Sequence, residues 1–206
     1  MKTIVYIDGF NFYYGACRRF GIRWVNPVSV ARCLLPGHDI ALSRYFSALI
    51  KPDPTDPGKE TRQSVYLRAL RTLPDFEIQM GVFLRSVKSM PKAPVSDPPA
   101  MVDVLKTEEK GSDVNLATAL LLDAFDQRME CAVVVSNDSD LLGPIEAVRS
   151  RFGITIGLIN PQKRPSRALM SLVDFYKQIR KSVLESSLFP ETITDEHGSF
   201  HKPASW

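Results

Sequence analysis

Thr3-Ile4-Val5-Tyr6-Ile7-Asp8-Gly9 is an apolar, β-branched run that stops abruptly on a carboxylate and a glycine. Such a run, bounded by a turn signal, reads as a buried strand entering a tight turn. Late in the chain Cys131-Ala132-Val133-Val134-Val135 repeats the pattern and ends in Ser136-Asn137-Asp138-Ser139-Asp140. Working outward from this pair, further strands are expected at 40–50, 76–87, 101–107 and 154–159. Asn11 can cap a helix over 12–20, and Pro27 opens another that Pro36-Gly37 stops. A helix over 59–73 carries Val65, Leu67, Leu70 and Leu73 among arginines. After Ser112 as its cap, the best helix of the chain places Val114, Ala117, Leu121 and Phe125 on one face, with Leu120 and Ala124 beside them. Asn137 caps a helix that runs to Phe152, and a last helix is expected over 169–187. Strands alternating with helices predict an α/β fold: a doubly wound, mainly parallel sheet with helices on both faces, in three layers.

Between these elements, 51–58 is a proline-rich loop, 88–99 a proline-rich mobile arm, and 163–167 a basic loop. One domain is expected over 1–187, with 188–206 as a poorly ordered polar tail. The 206 residues are 44% hydrophobic and 24% charged, the balance of an ordinary soluble domain. A net charge of +3 and a pI near 8.8 are compatible with a polyanionic partner without requiring one. Cys17, Cys33 and Cys131 form no Cys-x-x-Cys pair and no zinc spacing with His38, His197 or His201. Reduced thiols in a cytoplasmic protein are therefore expected. Asp8 interrupts the N-terminal apolar run too early for a signal peptide, and no stretch approaches the ~20 apolar residues of a membrane span.

The chemistry lies where the aspartates fall. In a doubly wound sheet, ligands sit beyond the carboxyl ends of the strands, where strand order reverses. Asp8 closes one buried strand, Asp138 and Asp140 follow another, and Asp113 at a helix start can join from the side. Such carboxylates repel one another, and a divalent cation removes that cost. All-oxygen ligation favours Mg²⁺ or Mn²⁺ over zinc. A plainer role exists for each: Asp113, Asp138 and Asp140 each oppose a helix dipole, and Asp8-Gly9 makes a turn. Asn11 caps a helix in either reading and can orient Asp8. Lys110 is a phosphate contact or a solvated loop charge.

Three segments together resemble a known family. Ile7-Asp8-Gly9-Phe10-Asn11, Glu109-Lys110-Gly111-Ser112-Asp113-Val114 and Ser136-Asn137-Asp138-Ser139-Asp140-Leu141 are similar, in order and spacing, to the motifs of the NYN domain, a branch of the PIN-like nucleases. The likeness spans roughly residues 1–165. It implies a PIN-like parallel-sheet fold and metal-dependent cleavage of RNA, endonucleolytic in mode. By matching positions it implies Asp8, Asp113 and Asp138 as the acidic metal-binding set, Asp140 beside them, and Asn11 and Ser136 in support. Leu141 stands where the family often has Phe, a packing change.

A nuclease site must also hold the backbone. Arg85, Lys88 and Lys92 before the middle motif, and Lys163, Arg164 and Arg167 after the last strand, are candidates to flank the crevice. Tyr13 or Tyr14 can stack on unpaired bases. RNA is the expected partner, with no membrane and no nucleotide cofactor; a homo-oligomer is compatible but not indicated. Two other readings compete. A haloacid-dehalogenase-type phosphatase needs an Asp where Phe10 stands. A non-catalytic RNA-binding or protein-interaction module leaves the acidic set without a purpose.

Overall fold

β1 (Lys2–Asp8) is the central strand of a sheet whose order is β4-β3-β2-β1-β5-β6-β7. The computed structural model describes residues 1–52 and 55–206, so Asp53 and Pro54 of the loop expected at 51–58 lie outside the described residues. The chain turns from β1 into a short helical segment made of α1 (Gly9–Phe12), a π-helical turn (Tyr13–Cys17) and α2 (Arg18–Phe20). Then follow α3 (Pro27–Leu34), β2 (Asp39–Ala48), α4 (Lys59–Arg71), β3 (Phe76–Pro91), β4 (Met101–Lys110) and α5 (Ser112–Phe125). The second half runs β5 (Cys131–Val135), a 3₁₀ turn (Ser139–Leu141), α6 (Leu142–Phe152), β6 (Thr155–Asn160), α7 (Arg167–Leu172), β7 (Phe175–Gln178) and α8 (Lys181–Glu185). All neighbours in the sheet are parallel except β3 and β4. This is the expected three-layer α/β fold.

β1 is buried on both faces because its side chains feed two cores. Val5 and Ile7 join a layer with Phe12, Ala31, Leu67 and Leu70, while Ile4 and Tyr6 join one with Leu116, Leu120, Ile145 and Leu158. The period of two along the strand makes this division automatic. β1 pairs with β2 on one side and β5 on the other, so chain order reverses between β1 and β5. Ile7 lies opposite Val135, which brings Asp8 and Ser136 to the same end of adjacent strands.

Several sequence expectations need correction. Asn11 and Ser112 are not the caps. Asp8 itself caps α1 by accepting the Asn11 amide, so helix follows strand with no spacer. Gly111, at φ +100°, precedes α5, where the Glu109 carboxylate accepts the Ser112 amide at 3.0 Å. The cap of the turn after β5 is Asp138, not Asn137. The buried face of α5 is Leu116, Ala119, Leu120, Asp123 and Ala124, whereas Val114 and Phe125 are 68% and 71% exposed. α5 is apolar nearly all round, so two stripes have helical spacing, and the sheet selected the one containing a buried aspartate.

The region 88–99 is not simply a mobile arm, since β3 continues to Pro91 and pairs antiparallel with β4 in an extended hairpin. The single helix expected over 169–187 is instead α7, a seventh strand and α8. Phe175-Tyr176 within it pairs with β6, whose open edge outcompetes helix propensity.

Nor is the tail poorly ordered. β8 (Thr192–Asp195) and β9 (Gly198–His201) form a hairpin, Phe189 and Phe200 are buried, and Trp206 packs on Tyr13, Trp24 and Tyr66. Arg68 grips Asp195 through two nitrogens and lies 4.2 Å from the centre of the Phe200 ring. Such short strands have no legible period; scattered aromatics anchor them. Among the described residues no helix is long and apolar enough to cross a membrane, and the three cysteines are free.

Candidate functional site

Asp8 is 3% exposed, a carboxylate at the C-terminal end of a central strand. Its Oδ1 accepts the Asn11 backbone amide at 2.9 Å, and its Oδ2 accepts Asn11 Nδ2 at 2.6 Å and Ser136 Oγ at 2.9 Å. Burial pushes its pKa up and Asp138 adds to that, while the donors on Asn11 and Ser136 pull it down. Ser136 Oγ in turn accepts the Asp138 amide at 3.1 Å, and Asp138 Oδ1 accepts the Asp140 amide at 3.0 Å. One hydroxyl therefore ties the ends of β1 and β5 together. Gly9 permits this approach, because a Cβ there would lie 2.7 Å from the Phe46 carbonyl oxygen and 2.6 Å from the Tyr45 ring.

Asp113 enters from the start of α5. Its pKa is pushed up to about 6, chiefly by burial and then by the charges of Asp8, Asp138, Glu109 and Asp140. Its placement depends on Gly81 in β3, where a Cβ would meet the Lys110 carbonyl at 2.5 Å and the Ser112 amide at 3.0 Å. Backbone on both sides cannot yield as a flexible side chain does. Gly81→Ala is therefore expected to lower stability by about 1–3 kcal/mol, read from the urea midpoint; an unchanged midpoint would show that the β4–α5 junction is more compliant than this.

Asp113 also predicts a pH dependence. With metal chelated, the folded protein keeps the Asp113 proton up to about pH 6, while the unfolded chain releases it near pH 4. The folded state thus binds more protons in that window, so stability falls as pH rises from about 4 through 6 and stays lower above it. Asp113→Asn removes this loss. Because Asp113 is partly exposed, solvent screening reduces the effect to on the order of 1 kcal/mol. The variant should exceed the parent in urea stability at pH 7.5 and lose that advantage near pH 4. A gap that does not change with pH would contradict the assignment.

Asp8, Asp138 and Asp140 thus lie close enough to Asp113 for their charges to act on it, with Asn11 and Ser136 supporting Asp8. Beside Asp138 opens a cavity of about 600 Å³ lined by Asn11, Asn137, Ser139, Gln162, Lys163 and Arg164. Asn137 holds the basic loop against it, accepting the Ser166 amide at 2.7 Å and donating to the Arg164 carbonyl at 3.2 Å. Gln162 Nε2 reaches Asn11 Oδ1 at 3.3 Å, so the loop also braces the residue that orients Asp8.

The other basic candidates do not line this cavity. Arg167 is exposed at the start of α7. Arg85 donates to the Pro52 carbonyl, and Lys88 faces Glu108 at 3.6 Å. At about 3.3 Å per strand residue, Lys88 and Lys92 stand on the order of 20 and 35 Å along the hairpin from Gly81, too far to flank the crevice. Lys110 stays near it, exposed and 3.9 Å from Glu108. Phe10 packs on Phe83 and Tyr14, leaving no acid at the position a dehalogenase-type phosphatase requires. Glu109, Asn137 and Gln162 are site residues that the sequence did not single out as such, since each acts through a contact formed only in the fold.

The donors suit a hard cation in charge and atom type, since each is a carboxylate oxygen and burial, with the neighbouring charges second, raises the pKa of Asp113. Among the described residues, no group of three such side chains stands placed to hold one ion. One or two carboxylates with water completing the shell is the usual Mg²⁺ arrangement, and the crevice fits that form.

Known proteins agree with this architecture. A protein of unknown function from Vibrio parahaemolyticus RIMD 2210633 has a similar solved structure, with a TM-score of 0.58 over 91% of this chain and 96% of that one. At 18% identity the likeness is one of fold. The 6-hydroxy-3-succinoylpyridine 3-monooxygenase of Pseudomonas putida (strain DSM 28022 / S16) is 27% identical over 237 aligned positions, covering 100% of this chain and 75% of that protein. The NYN domain profile matches residues 2–179, a span that contains Asp8, Asp113, Asp138 and Asp140 together with the whole sheet. By that match, and with the acidic motifs meeting at the reversal between β1 and β5, the chain belongs to the NYN domain family.

Proposed function

We propose that this protein is a metal-dependent ribonuclease acting at the crevice between β1 and β5. The observation that carries the reading is the electrostatic coupling of Asp8, Asp113, Asp138 and Asp140, with Asp138 lining a cavity that Lys163 and Arg164 also line. Asp8 and Asp138 are the residues to hold Mg²⁺ or Mn²⁺, with Asp113 and Asp140 adding negative field. When bound, the ion supplies charge neutralisation at a phosphate oxygen and lowers the pKa of water. Ser136 and Asn11 keep the Asp8 carboxylate oriented, which fixes the site before substrate arrives. Lys163 and Arg164 attract the phosphate backbone, giving affinity without reading sequence.

The test is incubation of the purified protein with single-stranded and structured RNAs in Mg²⁺, Mn²⁺ or chelator, with DNA as comparison. Fragments that require metal support the reading. RNA binding without cleavage in any metal would replace it with a binding module on the same fold.

A second reading rests on the Pseudomonas relative, which matches this chain along its whole length. On that reading the chain is a monooxygenase of a heteroaromatic acid, one atom of O₂ entering the substrate and the other leaving as water with two electrons and two protons from a reduced donor. Oxygen uptake with 6-hydroxy-3-succinoylpyridine and a reduced nicotinamide, absent without the pyridine, would favour it over the nuclease.

A further inference from the structure

A second cavity, of about 410 Å³, is lined by Gly9, Phe10, Tyr45 and other residues that the first cavity lacks. Its volume is within the range of small-ligand sites. The described residues give it an unusual combination of rings and cations. Tyr13 and Tyr14 meet edge to face at 5.1 Å, and Trp206 approaches Tyr13 at 6.5 Å. Tyr14 is 42% exposed, with Phe10 stacked beside it at 6.5 Å.

Two of the cations, Arg18 and Arg23, have little to satisfy them among the described residues. Arg23 Nε is shielded from solvent and has no hydrogen-bond partner, and an Arg23 Nη1 reaches only the Ser205 carbonyl, at 3.4 Å. A shielded donor left unpaired is costly and calls for an acceptor. Arg18 lies 5.5 Å from the Tyr14 ring centre, and no described carboxylate pairs with it. The acid that lines the cavity, Asp56, is taken by Arg62. Arg18, Arg23 and Trp206 take no part in the proposed nuclease chemistry.

We propose that this cavity binds a planar aromatic ring carrying an anionic group, the ring stacked on Tyr14 and Trp206 and the anion held by Arg18 and Arg23. A ring stacks on an aromatic face whatever its substituents, and arginine pairs with phosphate or carboxylate through parallel N–H donors. A nucleotide and a free aromatic acid share this chemistry. The site requires neither metal nor cleavage, so it stands whether or not the ribonuclease reading does.

Calorimetric titration of the full chain in chelator tests it, with nucleoside 5′-monophosphates, nicotinate and uncharged nucleosides as separate probes and tryptophan fluorescence reporting contact with Trp206. Saturable binding of an anionic probe is expected. Arg18→Gln and Tyr14→Ala, both at accessible side chains whose loss the fold tolerates, should each weaken binding by about tenfold. Arg23→Gln should do at least as much, and circular dichroism shows whether it folds. Binding of monophosphates alone assigns the site to nucleotides, binding of nicotinate alone to a free aromatic acid, and binding of both to the shared chemistry. No saturation by either probe at millimolar concentration, or equal binding of the uncharged nucleosides, would overturn the proposal.

Discussion

Asp138→Asn is expected to lower metal-dependent RNA cleavage by at least about 10³-fold, the equivalent of several kcal/mol of transition-state stabilisation. The fold should survive. Asp138 Oδ1 accepts the Asp140 amide, and an asparagine oxygen can keep that bond and the turn it caps. What disappears is the negative charge that the crevice brings against Asp8 and Asp113. This position is a cleaner probe than Asp8. Both oxygens of Asp8 accept hydrogen bonds, so an amide nitrogen there would face a donor from Asn11 or Ser136. Single-turnover cleavage beside a thermal melt separates the two effects. Activity within tenfold of the parent, in a variant with an unchanged melt, would remove Asp138 from the chemistry.

The largest stability effect is expected at a different carboxylate. Asp123, on the buried face of α5, is 2% exposed. Its Oδ2 accepts Tyr6 Oη at 2.8 Å and Arg44 Nε at 2.9 Å; its Oδ1 accepts Arg128 Nη1 at 3.0 Å and Arg44 Nη2 at 3.1 Å. Burial, and then the charge of Asp123, hold the Tyr6 phenol far above its ordinary pKa, so it remains a donor throughout the usable pH range. Asp123→Ala would leave Arg44 Nε and Nη2 without their carboxylate, only Nη1 keeping Glu77, and the buried Tyr6 hydroxyl with only the weak acceptor Met129 Sδ at 3.2 Å. Removing one partner of a buried pair costs about 3–5 kcal/mol, which in a chain of this size lowers the melting temperature by on the order of 10 °C. Asp123→Leu combined with Arg44→Met should recover much of this, since an apolar replacement of the whole pair avoids the unpaired charge. A melt of Asp123→Ala within 2 °C of the parent, taken as about 1 kcal/mol or less, would mean that water replaces the lost acceptor.

These two aspartates show where sequence was legible. Asp138 follows an uninterrupted apolar strand, and a polar group at the end of a buried strand stands out against it. Asp123 sits in a helix with leucines on several sides, where it looks like a solvent-facing residue. Its partners Tyr6 and Arg44 are 117 and 79 residues away, and no local pattern announces them. The basic residues divide in the same way. Lys163 and Arg164 belong to a loop that directly follows β6, so their arrival at the crevice is dictated by strand order. Lys88 and Lys92 lie near in sequence but travel outward because β3 continues into a long hairpin.

By itself, then, the sequence determined the alternation that makes a parallel sheet and the aspartates at the ends of two buried strands, while the tertiary structure made those strands neighbours at the reversal. Each follows from uninterrupted hydrophobicity over a few consecutive residues, which is a local property. Only the tertiary structure decided which stripe of α5 is buried, that 175–178 is a strand, and that residues 188–206 dock and help close the aromatic cavity. Those outcomes depend on competition between surfaces distant in sequence: an open edge on β6, a sheet face needing cover, and a set of rings needing Trp206. Free energy of that kind exists only once the other elements are in place.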